Sequence, residues 1–174
     1  MHLLRQEFPE VAFSLVYMTA PQYHEDQPSF LNAIARIEAE EHPEKILSLL
    51  REMEQKLGKA PPFRFGPRTI DLDLLMYDDL VLPSPEEWRT VQEWHALAKG
   101  DIQKTPAHRS LGEGGSKPAN LILPHPRMHE RRFVLEPLSE LVNTKEHHPV
   151  LGESWENLLQ KTLDQACDRM LFSL

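Results

Sequence analysis

A chain of 174 residues, 40% hydrophobic and 26% charged, is long enough for one core and is expected to form a single domain over residues 1–174. A formal net charge of −8 argues against a general nucleic-acid binder, and no apolar run or charged leader marks a membrane span or signal, so the expected compartment is the cytoplasm, with neither nucleic acid nor membrane as partner. The single cysteine, Cys167, excludes an internal disulfide framework and a cysteine-based zinc cluster.

Residues 11–18 (VAFSLVYM) are apolar, β-branched and aromatic, the composition of a strand. A polar loop follows to Pro28, and residues 29–39 (SFLNAIARIEA) are expected to form a second strand with Phe30, Asn32 and Ile34 on one face. Pro43 suits a first helical turn; Ile46, Leu49, Leu50, Met53 and Leu57 form an apolar stripe, and Gly58 is placed to end the helix. Residues 69–77 (TIDLDLLMY) alternate as a strand into an Asp78-Asp79 turn. Ser84-Pro85-Glu86-Glu87 has the form of a capping box opening a short helix with Trp88, Val91 and His95 on one side. The Gly- and polar-rich remainder is expected to be mobile, and residues 83–119 together read as an insertion. A last helix from Ser154 to Leu171 is expected to bury Trp155, Leu158, Leu159, Leu163, Ala166 and Met170, with Cys167 a buried structural thiol.

Two patterns carry chemistry. Asp71 and Asp73 lie two apart in a predicted strand and therefore share a face, while Ile70, Leu72 and Leu74 point to the core. Adjacent carboxylates repel unless a hard cation lies between them, and magnesium accepts carboxylate and phosphate oxygens together; a solvated edge strand is the plain alternative for this pair alone. Just ahead, Arg64 and Arg68 flank a rigid Gly66-Pro67 turn and Phe65 could cover a planar ring, and the guanidinium fork suits phosphate. The second pattern is residues 123–133 (LPHPRMHERRF). His125 and His129 could be metal ligands on a helix, but prolines straddle His125 and no third ligand lies near. A phosphate-binding loop with imidazole and guanidinium donors fits better.

These residues carry a resemblance. FRFGPRTIDLDLLMYDDLVL resembles the signature of the 6-hydroxymethyl-7,8-dihydropterin pyrophosphokinase family, LPHPRMHERRFVLEPLSEL its second block, and YMTAP with DQPSFLNAI its pterin-binding strands. The likeness covers about residues 11–82 and 120–165. It implies an α+β, ferredoxin-like antiparallel sheet packed against helices. It also implies transfer of the β,γ-pyrophosphoryl unit of ATP to the pterin hydroxymethyl group, on the way to folate. By that carry-over Asp71 and Asp73 hold two Mg2+ ions, with Arg68 and Lys59 beside them in the catalytic set. Glu54, Arg64, Arg68, His125 and Arg131 fall on ATP, and Thr19, Phe30, Asn32, Phe65 and Phe133 on the pterin. Other folate-pathway enzymes are the implied partners.

Several places depart from the family pattern. Lys59 and Pro61 stand where the family has arginines, and Asn120 and Ile122 where it often has Arg and Thr. The family opens with a central strand and a long helix, whereas here only Met1 to Glu10 precede the first strand. The expectation is therefore a sheet lacking that strand and a gap in the core, from a truncated or mis-started chain, a partner-supplied strand or a degenerate protein. The alternative function is a non-catalytic nucleotide- or pterin-binding relative that works through a partner.

Overall fold

A computed structural model describes residues 1–19, 29–58, 70–97 and 121–170, the side chains of 94–97 excepted. The chain starts with a short helix, α1 (His2–Glu7), which the sequence reading did not foresee and which buries Leu4, with Phe8 just beyond it. Both segments expected as single strands divide in two. The first gives β1 (Ala12–Phe13) and β2 (Tyr17–Thr19), the second β3 (Phe30–Asn32) and β4 (Ala35–Arg36). All pairings are antiparallel: β1 pairs with β4, while β3, β2 and a last strand, β5 (Asp168–Arg169), form a second sheet in that order. The physical reason for the division lies at Ser14. Its N–H donates to Ile34 O at 2.9 Å, and its hydroxyl both accepts from Ile34 N at 2.9 Å and donates to Leu15 O at 2.8 Å. A side chain replaces one backbone bond of the ladder, so both strands leave one sheet and enter the other at the same place.

Helix α2 (Pro43–Lys56) follows the expected course, with proline in its first turn and Gly58 at φ +82°, the left-handed position that favours glycine. One detail is corrected. Leu57 is exposed, and Glu54 takes a place on the buried stripe four residues beyond Leu50 and eight beyond Ile46. Ser84 caps α3 (Pro85–Leu97), its hydroxyl accepting from Glu87 N at 3.2 Å and meeting the Glu87 carboxylate at 3.1 Å. A single 3-10 turn (Met128–Glu130) leads into α4 (Arg132–Leu138).

The expected helix from Ser154 to Leu171 is corrected most. Ser154 does cap it, accepting from Asn157 N, but α5 (Trp155–Gln160) ends after six residues. Leu163 and Ala166 are exposed, and Thr162 is buried in their place. Two long-range terms outweigh continued helix. Arg132 donates to the carbonyls of Leu163 and Gln165, and β5 pairs with the outer edge of β2. Cys167 lies beside β5, half-buried, its thiol pKa raised by burial.

Two apolar clusters form the core. One gathers Leu4, Phe8, Ile46, Leu50 and Met53; the other gathers Met128, Val134, Leu135, Leu138, Trp155 and Leu158. Near the second, His148 is fully buried between the rings of Trp88 and Trp155, with centroids 5.2 and 5.4 Å away. Its Nδ1 accepts from Val150 N and Leu151 N, both at 3.2 Å, which leaves the ring proton on Nε2. Burial, and secondarily the charge of nearby His129, push its pKa down to about 4.

Two expectations follow. Because the folded ring titrates below its unfolded value of about 6.5, the neutral imidazole contributes stability that is present above pH 6.5 and lost as pH falls toward 4, up to about 3 kcal/mol. Thermal melts between pH 7 and 4 should show this loss, and His148→Gln should flatten it; an equally steep decline in the variant would refute the assignment. Ser14→Ala should leave Ile34 N short of its acceptor and cost roughly 1–3 kcal/mol in urea unfolding.

Candidate functional site

The two aspartates lie on an extended run, residues 70–77, to which no strand is bonded among the described residues. The expected strand label for 69–77 is corrected to that extent, since a strand is defined by its ladder. The alternation is present all the same. Asp71 and Asp73 are exposed, whereas Leu72 and Leu74 pack on the cluster around Ile46 and Leu50. Leu75 and Met76 pack on the other cluster. Two backbone bonds hold the run in place: Leu72 N donates to Glu54 Oε1 at 2.8 Å, and Leu75 O accepts from His125 N at 2.7 Å. The run ends as expected in a turn at Asp78-Asp79, with Asp78 at φ +45°, a conformation Asp tolerates better than most.

The expected pterin contacts assemble on the β2–β3 hairpin. The register places Tyr17 opposite Asn32 and Thr19 opposite Phe30, so these four side chains share one face. Asn32 Nδ2 donates to Thr19 Oγ1 at 2.9 Å, which fixes the orientation of the amide. Phe30 remains 44% exposed, available to a ligand rather than committed to the core. Helix α4 packs on both strands and carries Phe133, half-buried, to the same region. Tyr17 stiffens the hairpin: its hydroxyl donates to Glu140 Oε1 at 2.6 Å, while Leu15 N donates to Oε2 at 2.7 Å. Burial, then the Glu140 bond and charge, hold that phenol protonated far above its usual range.

Asn32, Phe133, Asp71 and Asp73 border one cavity of about 720 Å3. Residues 33–39 and 70–78 also line it, together with Leu4, Phe13, Ile46 and Leu50. The two exposed carboxylates, Asp71 and Asp73, offer oxygen donors of the kind a hard divalent cation takes.

The basic loop is irregular, as its prolines dictate. Trp88 Nε1 donates to Pro124 O at 2.6 Å, and His125 Nδ1 accepts from Arg127 N at 3.2 Å, which leaves the proton of a neutral His125 on Nε2 as a donor. His129 meets the Gln92 side-chain amide at 2.7 Å instead of joining His125. The Arg131 guanidinium stands over the Phe133 ring, 5.4 Å from its centroid, so a candidate phosphate donor and a candidate ring contact are neighbours. Arg132 faces away, paired with Glu136 at 2.9 Å.

Lys59, Pro61, Arg64, Phe65, Arg68 and Asn120 lie outside the described residues, as does most of the expected insertion. The sequence reading missed the part Glu54 plays as a strut under Leu72, although its place on the stripe with Ile46 and Leu50 was the available signal. It also missed the contact of α3 with the basic loop, for which only the apolar Trp88 gave a hint.

The sequence of the chain is similar to those of known proteins. The chain is 33% identical over 141 residues to the 2-amino-4-hydroxy-6-hydroxymethyldihydropteridine pyrophosphokinase of Bacillus subtilis, an alignment covering 81% of this chain and 64% of that protein. It is 31% identical over 151 residues to the folic acid synthesis protein fol1 of Pneumocystis carinii, covering 87% of this chain and 16% of that one. With the mitochondrial folate synthesis bifunctional protein of Arabidopsis thaliana it shares 30% identity over 145 residues, 83% of this chain and 20% of the other. The chain thus spans less than two thirds of the length of each of these relatives. The family model for 7,8-dihydro-6-hydroxymethylpterin-pyrophosphokinase matches residues 1–143, most of the chain, and the chain belongs to that family.

Proposed function

We propose that the chain transfers a pyrophosphoryl unit from ATP to the hydroxymethyl group of 6-hydroxymethyl-7,8-dihydropterin, giving AMP and the pterin pyrophosphate for folate synthesis. The observation that carries this reading is that Asn32, Phe133, Asp71 and Asp73 all line one cavity. Family membership and the named pyrophosphokinase relative support it.

The pterin would sit against the β2–β3 face. Asn32, oriented by Thr19, offers an amide to the polar edge of a planar heterocycle, and Phe30 and Phe133 offer aromatic surface, with Phe65 assigned to the opposite ring face. The nucleotide would approach from the basic loop, where His125 Nε2–H and Arg131 are donors for anionic oxygens; Lys59, Arg64 and Arg68 belong to the same set, with Glu54 below the metal-bearing run. The carboxylates of Asp71 and Asp73 would hold two Mg2+ ions, which when bound neutralise polyphosphate charge. In the transfer, the pterin hydroxyl oxygen bonds to the β-phosphorus and releases its proton to solvent, the bond from that phosphorus to the α,β-bridging oxygen breaks, and AMP leaves with that oxygen. The chain's own residues contribute orientation of the two substrates and stabilisation of charge, which dominate phosphoryl chemistry.

A ferredoxin-like arrangement is part of the same proposal. The cavity lined by residues 33–39 and 70–78 is where we would set the central strand of such a sheet. No described helix is long and apolar enough to cross a membrane; the cytoplasm is the compartment proposed for this reaction. The bifunctional relatives make other folate-pathway enzymes the natural partners.

Asp71→Ala or Asp73→Ala should lower AMP formation by at least about a thousandfold while leaving circular dichroism and melting temperature nearly unchanged, because both side chains are exposed. Near-normal turnover in either variant would exclude the two-metal assignment. Asn32→Ala should raise KM for the pterin roughly tenfold with KM for ATP unaltered. Calorimetry that finds both substrates bound, with no AMP formed, would instead establish a non-catalytic binding relative.

A further inference from the structure

Leu82 and Leu123, which bracket residues 83–122, exchange both backbone hydrogen bonds, Leu82 N to Leu123 O at 2.8 Å and Leu123 N to Leu82 O at 3.1 Å. Helix α3, just beyond Leu82, is tied into the fold. Trp88 is fully buried, its indole donating to Pro124 O at 2.6 Å and its ring standing 5.9 Å from that of His129. One turn further along α3, the Gln92 amide meets His129 Nε2 at 2.7 Å. The helix therefore grips the basic loop twice: one residue before His125 and two residues before Arg131. Within the loop, Met128 N donates to His125 O at 3.0 Å and Arg131 N to Met128 O at 3.3 Å, while His125 N donates to Leu75 O at 2.7 Å and Glu130 O accepts from Gln165 Nε2 at 2.8 Å. Trp88 and Gln92 add to these the two contacts that come from α3.

We propose that Trp88 and Gln92 are positioning residues that hold the loop from His125 to Arg131 in the shape that receives the polyphosphate of the nucleotide. The inference rests on the nucleotide reading of that loop, and it gives the inserted helix a role in substrate binding. Neither residue touches a substrate. Trp88 fixes the loop's entry through a buried, charge-neutral hydrogen bond and ring packing, and Gln92 fixes its exit through His129. A third contact of the helix, Arg89 Nη2 to Val150 O at 3.4 Å, goes to a different part of the chain and serves as an internal control.

The test is titration calorimetry of the full chain with Mg2+ and α,β-methylene-ATP, beside titration with the pterin, for wild type, Trp88→Phe, Gln92→Leu and Arg89→Ala. Trp88→Phe keeps an aromatic ring and removes the indole donor; Gln92 is only half-buried, so its replacement spares the fold. Nucleotide Kd should rise roughly three- to tenfold in Trp88→Phe and Gln92→Leu, the loss of one net hydrogen bond each. Pterin Kd should stay within a factor of two, and Arg89→Ala should bind both ligands as wild type does. Unchanged nucleotide Kd in Trp88→Phe and Gln92→Leu, with wild type binding normally, overturns the positioning role and leaves the proposed function standing. An equal rise in Arg89→Ala also overturns it, since the helix would then act only through general anchoring. Failure of the wild type to bind the nucleotide analogue overturns both readings together.

Discussion

The run from Ile70 to Tyr77 has to be straight, to put Asp71 and Asp73 on one side and Leu72 and Leu74 on the other, yet no strand is bonded to it among the described residues. What keeps it straight is a pair of bonds from outside any sheet. Glu54, only 5% exposed on the inner face of α2, accepts Leu72 N–H, and Leu75 O accepts from His125. A carboxylate is costly to bury, and an ionised acceptor on a backbone N–H is among the stronger hydrogen bonds that can offset that cost. The same run is the seam between the two apolar clusters, since Leu72 and Leu74 enter one and Leu75 and Met76 the other. Its register therefore sets both the packing of α2 and the height of the aspartates over the cavity.

Where a local rule decided the structure, the sequence was enough. Pro43 and Gly58 bracket α2, Ser84 and Glu87 open α3, and Asp78 makes its turn, because caps and left-handed positions depend on residues a few places apart. The shared face of Asp71 and Asp73 was legible for the same reason, as was that of Phe30 and Asn32. Composition alone could not find the corner at Ser14, where one hydroxyl bonded to Ile34, far along the chain, divides two strands at once. The end of α5 was hidden in the same way: a helical pattern continues to Met170, but the open edge of β2 and the side chain of Arg132 claim the residues that would have followed. Glu54 illustrates a third kind of miss. On the helical stripe it stands in line with Ile46 and Leu50, a position where a carboxylate is tolerated only with a donor waiting, and that donor belongs to another element.

The site's remaining order comes from one stretch of backbone. Residues 123–138 begin with a bond pair to Leu82, supply His125 to the aspartate-bearing run, pass through Arg131 and then become α4, which lays Phe133 against the β2–β3 face. The donors proposed for the nucleotide and the aromatic ring proposed for the pterin are thus carried by a single continuous segment that bonds to the aspartate-bearing run. A displacement of the loop at Pro124 or His129 would move Arg131, and Arg131 stands over the Phe133 ring. The positions proposed for the two substrates are mechanically linked for that reason, with Val134, Leu135 and Leu138 in the core and Trp88 buried beside the loop. In phosphoryl transfer, the chemistry proposed for this chain, alignment supplies most of the rate, and it would gain from contacts such as those that Glu54 and Trp88 make with the protein's own backbone.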